Sequence, residues 1–399
     1  MQNILSKKDG LIVKEKMLLY YLGIGKKDDE IPDIEQITPS DWEKLIEKAK
    51  ERKVASMLFY SLSQSRKIDL LTKESQLALR KSYLAVLSKN MKIYGELAKL
   101  LERLNDEEIP VIVLKGAALA ELLYENIAIR PMQDIDLIAK GDDIKRINDI
   151  LLELNWENQE HLSTSGFHKE FSKHISYVTG RVLMEIHPKL YEFPKLDPWA
   201  NAVSAKICSN NTFILGKEDF FLHLCIHLED HYRTGLETNL IWYIDIANFL
   251  QRYQDDINWD YVAKISSESK FDGIIHSILR EINQSFNGSI PDHIINRFTA
   301  DKSDLSIEKV FNHVSNPIKH FFALMAEVSG PRNASLKNRA FIIFRNIFPC
   351  KAYMVEKYEI KNENLFYLYY FVRMFRGIKK FFIGLYHLPN YLSHKKLKS

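Results

Sequence analysis

Apolar residues recur at helical spacing along most of the chain, and one short interval breaks the rhythm. Between residue 11 and about 105 the apolar positions follow a 3.6-residue period. "TPSDWEKLIEKAKERKVASMLFYSL" opens with a capping signal around Ser40 and Asp41, and "SQLALRKSYLAVLSKNMKIYGELAKLLERLN" predicts a longer helix. "DEEIPV" ends it, with Pro110 leading into the β-branched run "VIVL". "AALAELLYEN" then reads as a short helix after a turn at Gly116, and "DIDLIA" as a second strand. "GDDIKRINDILLELNW" is amphipathic with a helical period, and Gly141 marks its turn. Thr179-Gly180, between two partly alternating runs in "HKEFSKHISYVTGRVLMEIHPKLYEF", predicts a hairpin. From about 215 onward the helical period returns, as in "KEDFFLHLCIHLEDHYRT" and "LIWYIDIANFLQRY". The expectation is an α+β chain: a helical region over 1–105, a small strand-containing core over 106–205, and a second helical region over 206–399. No internal repeat or low-complexity tract interrupts it.

Composition changes this picture little. A length of 399 residues favours two or three domains, and 46% hydrophobic with 27% charged residues is ordinary for a globular protein. The 55 basic and 52 acidic residues nearly balance, so no global charge calls for nucleic acid. Cys208, Cys225 and Cys350 are odd in number and widely spaced, which fits neither a disulfide framework nor a CxxC metal site and suggests a reducing compartment. The N-terminus lacks the features of a secretory signal, and no run reaches the ~18 apolar residues of a membrane span. A cytoplasmic location is expected. The run from Asn364 to the C-terminus has no acidic residue, and it interleaves Arg373, Arg376, Lys379 and Lys380 with aromatics. Such a run suits a membrane surface or nucleic acid, but a docked helix with its cations toward solvent or a phosphate-bearing substrate is the favoured expectation.

The chemistry concentrates in the middle. Residues i and i+2 of a strand share a face, so Asp134 and Asp136 project together while Ile135 and Leu137 enter the core. Glu185 lies in another strand-like run, with Met184 and Ile186 pointing away from it. Side-by-side carboxylates in an apolar setting are costly without a cation, and three of them beside a glycine turn describe a site for paired Mg²⁺ ions and a polyphosphate. Amides at the helix start after Gly116 suit phosphate oxygens, and Lys115 and Arg130 supply positive charge.

These residues carry a resemblance. "LKGAAL", "RPMQDIDL" and "MEIH" are similar to segments of the polymerase β-like nucleotidyltransferase superfamily, and most of the chain resembles a bacterial family of uncharacterised nucleotidyltransferases. The resemblance implies a small mixed β-sheet nucleotidyltransferase core. Gly116 matches the turn glycine, Asp134 and Asp136 the metal-binding pair, and Glu185 the third carboxylate. Lys115-Gly116-Ala117 departs from the superfamily's usual Gly-Ser or Gly-Gly, although Lys-Gly is usual in the narrower family. The function implied is transfer of an NMP group from an NTP to a hydroxyl or phosphate acceptor, with Mg²⁺ or Mn²⁺ as cofactor. Two alternatives stay open: a toxin-like nucleotidyltransferase acting on tRNA or protein, and a noncatalytic nucleotide-binding partner in a biosynthetic system.

The remaining candidates are histidines. His223, His227 and His231 recur every four residues and line one helix face. Zn²⁺ can use a neighbouring pair, but residues i and i+8 lie about 12 Å apart along the axis, so all three cannot share one ion. A wall beside the nucleotide, with Asp245 pairing one imidazole or capping a polar pocket, is the favoured alternative, and ordinary structural histidines with a structural Asp245 are the third reading. His187 shares a strand face with Glu185 and is a candidate for orienting the acceptor. His161, His168 and His174 fall in a loop and hairpin and are assigned no role.

Overall fold

The computed structural model describes residues 13–25, 36–158, 174–190, 196–234, 239–286, 290–300, 305–307 and, in pieces, 348–375. Four helices come first: α1 (Val13–Tyr21), α2 (Pro39–Glu51), α3 (Ala55–Gln64) and α4 (Lys73–Asp106). The start of α2 lies slightly before the predicted cap. Thr38 is the N-cap, its hydroxyl accepting from the Asp41 amide at 3.2 Å and donating to the Asp41 carboxylate at 2.7 Å, with Pro39 in the first turn. Helix α4 runs unbroken through the segment predicted as one long helix and is capped by Thr72.

Seven strands form one mixed sheet in the order β3-β4-β5-β2-β1-β7-β6. Strand β1 (Val111–Val113) pairs antiparallel with β2 (Asp134–Ala139), and α5 (Lys115–Leu122) lies between them in sequence. Helix α6 (Ile144–Glu153) leads to the short β3 (Glu157–Asn158). Strands β4 (Ile175–Thr179) and β5 (Val182–His187) form the predicted hairpin, and Gly180, at φ +53°, supplies the left-handed turn residue. Strand β5 then runs parallel to β2.

The sheet continues beyond residue 205, where the sequence pattern placed the end of the core. Strands β6 (Val203–Ile207) and β7 (Asn210–Ile214) form a second hairpin, and β7 pairs parallel with β1. Its two-residue loop is Cys208-Ser209, both at positive φ (51° and 64°). Such turns normally announce themselves with Asn-Gly or Gly, and these residues carry no such signal. Helices α7 (Lys217–Thr234) and α8 (Leu240–Tyr253) follow. A single hydrophobic cluster runs from Met17 through the sheet to Ile307, so the helical regions and the sheet share a core. Of the basic C-terminal run, residues from Arg376 onward lie outside the described part, as does Cys350. Cys208 and Cys225 are free thiols. Among the described residues no helix is long and apolar enough to cross a membrane.

The connection between α5 and β2 is pinned by Asn90, wholly buried in α4. Its amide donates to the carbonyls of Ile127 and Arg130, and its side-chain oxygen accepts from the Met132 amide at 3.2 Å. Ser56 of α3 adds a bond to the Ile129 carbonyl at 2.9 Å. The N-terminal helices thereby fix the chain just before the two aspartates. Asn90→Ala leaves these buried groups unpaired, and the expected loss is about 2–4 kcal/mol, read as a lower denaturant midpoint at unchanged slope.

Candidate functional site

Strand β2 places Asp136 directly opposite Glu185 of β5 and Asp134 opposite Leu183. Paired residues of neighbouring strands project to the same side, so the three carboxylates share one face, while Ile135 and Leu137 are wholly buried on the other. Asp136 is 3% exposed; Asp134 and Glu185 are partly buried. His187, two residues after Glu185, joins the same face and brings Nε2 to 3.1 Å from Asp136 Oδ1 and 3.7 Å from Glu185 Oε2.

Lys115 reaches in from the start of α5, its Nζ 3.0 Å from Asp136 Oδ1. The left-handed residue of this turn is Lys115 itself, at φ +42°, not Gly116. A non-glycine residue held there is strained, a feature common at functional sites. Gly116 is required for space instead: a Cβ on it would meet Arg130 Nη1 at 2.9 Å and Met132 Cγ at 3.4 Å.

Arg130 does not present its guanidinium as an open phosphate ligand. It is buried and forms a forked pair with Asp245 of α8, with Nη2 2.7 Å from Oδ2 and Nε 3.0 Å from Oδ1. Tyr124 also donates to Asp245 Oδ1 at 2.7 Å. Asp245, expected beside the histidines, is thus committed to Arg130 and Tyr124. Positive charge near Asp134 comes from Lys115, from Lys89, an exposed residue of α4 adjoining Asn90 that no local pattern singles out, and to a smaller extent from Arg130.

The electrostatics follow from crowding. Burial and the neighbouring Asp136 push Asp134 up to about 6, with Lys115 and Lys89 opposing. Burial, Asp136 and Asp134 push Glu185 up to about 8. Asp136 goes the other way: burial opposes its charge, but Lys115 and His187 hold it well below the usual carboxylate range. Burial also opposes the charge of Lys115, and the three carboxylates outweigh it, raising its pKa.

Along α7, the rings of His223 and His227 stack at 6.4 Å, His227 meets His231 at 4.5 Å, and Trp242 of α8 packs on the last two. Burial and then the charge of Lys115 lower all three, His223 to about 3 and His231 to about 4. The imidazole face therefore adjoins the carboxylate face and is neutral. His223 Nε2 is buried there without a hydrogen-bond partner.

His174, the first described residue after 158, was not singled out by pattern. It comes one step beyond the Ile175–Ile186 pair, so it stands opposite His187, with ring centroids 5.3 Å apart. Its Nε2 lies 3.4 Å from Glu185 Oε1. His161 and His168 lie outside the described residues.

The family described as "Uncharacterised nucleotidyltransferase" matches residues 38–287, which span α2 through α8, the whole sheet, and the helices Trp259–Glu268 and Asp272–Ser285. The chain belongs to this nucleotidyltransferase family. It is a nucleotidyltransferase by membership. Similar solved structures include the solution structure of the antibiotic-resistance factor ANT(2'')-Ia, with TM-score 0.35 and 14% identity, covering 47% of this chain and 97% of that one. The crystal structure of ANT(2")-Ia in complex with adenylyl-2"-tobramycin has TM-score 0.33 and 15% identity, covering 44% and 96%. An antigenic nucleotidyltransferase-like protein from Paracoccidioides brasiliensis has TM-score 0.29 and 17% identity, covering 41% and 75%. No curated protein matches the chain.

Two predictions follow from this geometry for the nucleotidyltransferase without added metal. Asp245→Asn leaves the Arg130 charge buried without its counterion, and the expected cost is about 3–5 kcal/mol, measured by denaturant unfolding. The second concerns pH. Glu185 has a folded pKa of about 8, above the ordinary 4.5, so its protonation stabilises the fold and this contribution is lost as pH rises through 8. The histidines are depressed below 6.5, so their contribution is complete above that value and is lost as pH falls. Melting temperature is expected to peak near pH 6.5, to decline from there to about pH 8 and then to level off, and Glu185→Gln to abolish that decline.

Proposed function

We propose that this nucleotidyltransferase moves an NMP group from an NTP to an acceptor hydroxyl or phosphate, with divalent-cation dependence and release of pyrophosphate. The observation that carries the proposal is the shared face of Asp134, Asp136 and Glu185, with Asp136 opposite Glu185 on parallel strands. The donor set fits Mg²⁺ or Mn²⁺: all three side chains offer carboxylate oxygens, and the two raised pKa values mark uncompensated negative charge. When bound, such ions would neutralise triphosphate charge and favour in-line displacement at phosphorus.

The chain's own residues divide the remaining work. Lys115 and His187 hold Asp136 in position through the two contacts on its Oδ1. Glu185 in its ionised form, which its elevated pKa makes a stronger base than an ordinary carboxylate, accepts the proton of the acceptor hydroxyl on a carboxylate oxygen. The acceptor oxygen then bonds to the α-phosphorus as the bond to the bridging oxygen breaks, and pyrophosphate leaves. Lys89 and Lys115 attract the triphosphate, while Arg130 acts one step back by fixing Gly116 and the turn it belongs to. The neutral imidazoles of His227 and His231, packed against Trp242, form an uncharged wall beside the carboxylates. The acceptor is not specified by any of these residues.

Incubating the protein with each labelled NTP, Mg²⁺ or Mn²⁺ and cell extract tests this directly. Transfer of label to an acceptor, with pyrophosphate released in equal amount, is the expected outcome; nucleotide binding without transfer in every combination would favour the noncatalytic alternative. Labelled tRNA or protein would select the toxin-like one. Asp134→Asn and Asp136→Asn are expected to fold and to lose cation-dependent nucleotide binding. Glu185→Gln should keep most of that binding and lose turnover. Lys89→Gln should raise the KM for NTP about ten-fold with kcat little changed, as removal of one charge-assisted contact of ~1.5 kcal/mol would do.

A further inference from the structure

The same sheet face extends past the carboxylates into nitrogen donors. On the hairpin β4–β5, His174 and His187 stand opposite each other, with Glu185 two residues before His187 on the strand that pairs with β2. One ligand atom from each of His174, Glu185 and His187 lies within 4.8 Å of the other two. Both imidazoles present Nε2 to the carboxylate, at 3.4 Å from Oε1 for His174 and 3.7 Å from Oε2 for His187. The two glutamate oxygens are thus each approached by a different ring, leaving a position enclosed by three donors from two adjacent strands.

We propose that His174, Glu185 and His187 form a nitrogen-rich cation position that takes a first-row transition dication, of which Mn²⁺ is one, in preference to Mg²⁺. The proposal rests on the carboxylate centre above, since Glu185 belongs to both sets. Mg²⁺ selects hard oxygen donors and dehydrates reluctantly, whereas imidazole nitrogen suits transition-metal ions. Two imidazoles and one carboxylate are a donor set with three protein ligands, which keeps further coordination positions for water or a substrate oxygen. Asp136 Oδ1 lies 3.1 Å from His187 Nε2, the same nitrogen that faces Glu185, so an ion bound there would take the place of that hydrogen bond and lie within reach of Asp136 as well. The face therefore carries two kinds of site. Asp134 and Asp136 offer oxygen alone, and His174 and His187 offer nitrogen, with Glu185 shared.

The test is a Mn²⁺ titration of the purified full-length chain, without nucleotide, followed by electron paramagnetic resonance, with Mg²⁺ as competitor. Pulsed spectra of bound Mn²⁺ report directly coordinated ¹⁴N. Wild type is expected to bind Mn²⁺ more tightly than Mg²⁺ and to show nitrogen coupling. His174→Ala should lose roughly ten-fold or more in Mn²⁺ affinity with Mg²⁺ affinity unchanged. His174→Gln, which keeps polar character at the position, should show the same loss, and the melting temperature of each variant verifies folding. Absence of nitrogen coupling in wild type, or a Mn²⁺-to-Mg²⁺ ratio unaltered in both variants, would overturn the proposal. Asp134→Asn separates it from the carboxylate centre: nitrogen-coupled Mn²⁺ retained while Mg²⁺ binding falls supports both. Unchanged Mg²⁺ binding in Asp134→Asn with nitrogen coupling present sinks the carboxylate assignment alone.

Discussion

The architecture around the site depends on a guanidinium that cannot be left alone. Arg130 is buried in the connection before β2, and a buried charge persists only when paired and hydrogen-bonded. Its fork onto Asp245 joins the nucleotidyltransferase sheet to α8, and Tyr124 completes the shell of that carboxylate. With the guanidinium held in that position, a Cβ at residue 116 would press on Nη1 at 2.9 Å and force the ion pair to shift, which favours glycine there. The left-handed conformation falls on Lys115, whose amine is delivered to Asp136. Helix α4 holds the same connection from the other side through Asn90. Ion pair, glycine and asparagine thus cooperate to place two aspartates and a lysine, and loss of any one releases geometry shared by all.

What this scaffold holds is electrostatically unbalanced. Three carboxylates on one face repel, and the chain answers in two ways. Asp136 is stabilised as an anion by Lys115 and His187, while Asp134 and Glu185 retain protons to higher pH than usual. The cost is carried by the rest of the fold, whose single continuous core from Met17 to Ile307 supports the polar face from behind.

Much of this was legible in the sequence, and the illegible parts have identifiable causes. Strand periodicity alone put Asp134 and Asp136 on one face and Ile135 and Leu137 in the core, because alternation is a local property. The Gly180 hairpin was equally local. Pairings between distant segments were not. Nothing near Arg130 indicates that its partner is Asp245, more than a hundred residues later, so an arginine before the aspartates read as a phosphate ligand. Lys89 and His174 reach the site through a helix packing and a cross-strand register that only the fold defines. The β6–β7 hairpin escaped because Cys208 and Ser209 adopt positive φ without the residues that normally mark it.

The histidine face shows how one charge organises a neighbouring surface. His223, His227 and His231 are lowered first by burial and next by the cation of Lys115, so they remain neutral across the physiological range. A helix bearing three imidazolium ions beside Lys115 would compete for the same carboxylates that a metal needs. Neutral rings avoid that competition and still offer a donor or acceptor at each nitrogen. Positive charge at the site is accordingly concentrated on lysines: Lys115 against Asp136, and Lys89 at the exposed edge of α4. The division between a committed guanidinium, a contacting lysine and uncharged imidazoles lets a polar face exist within a largely apolar sheet.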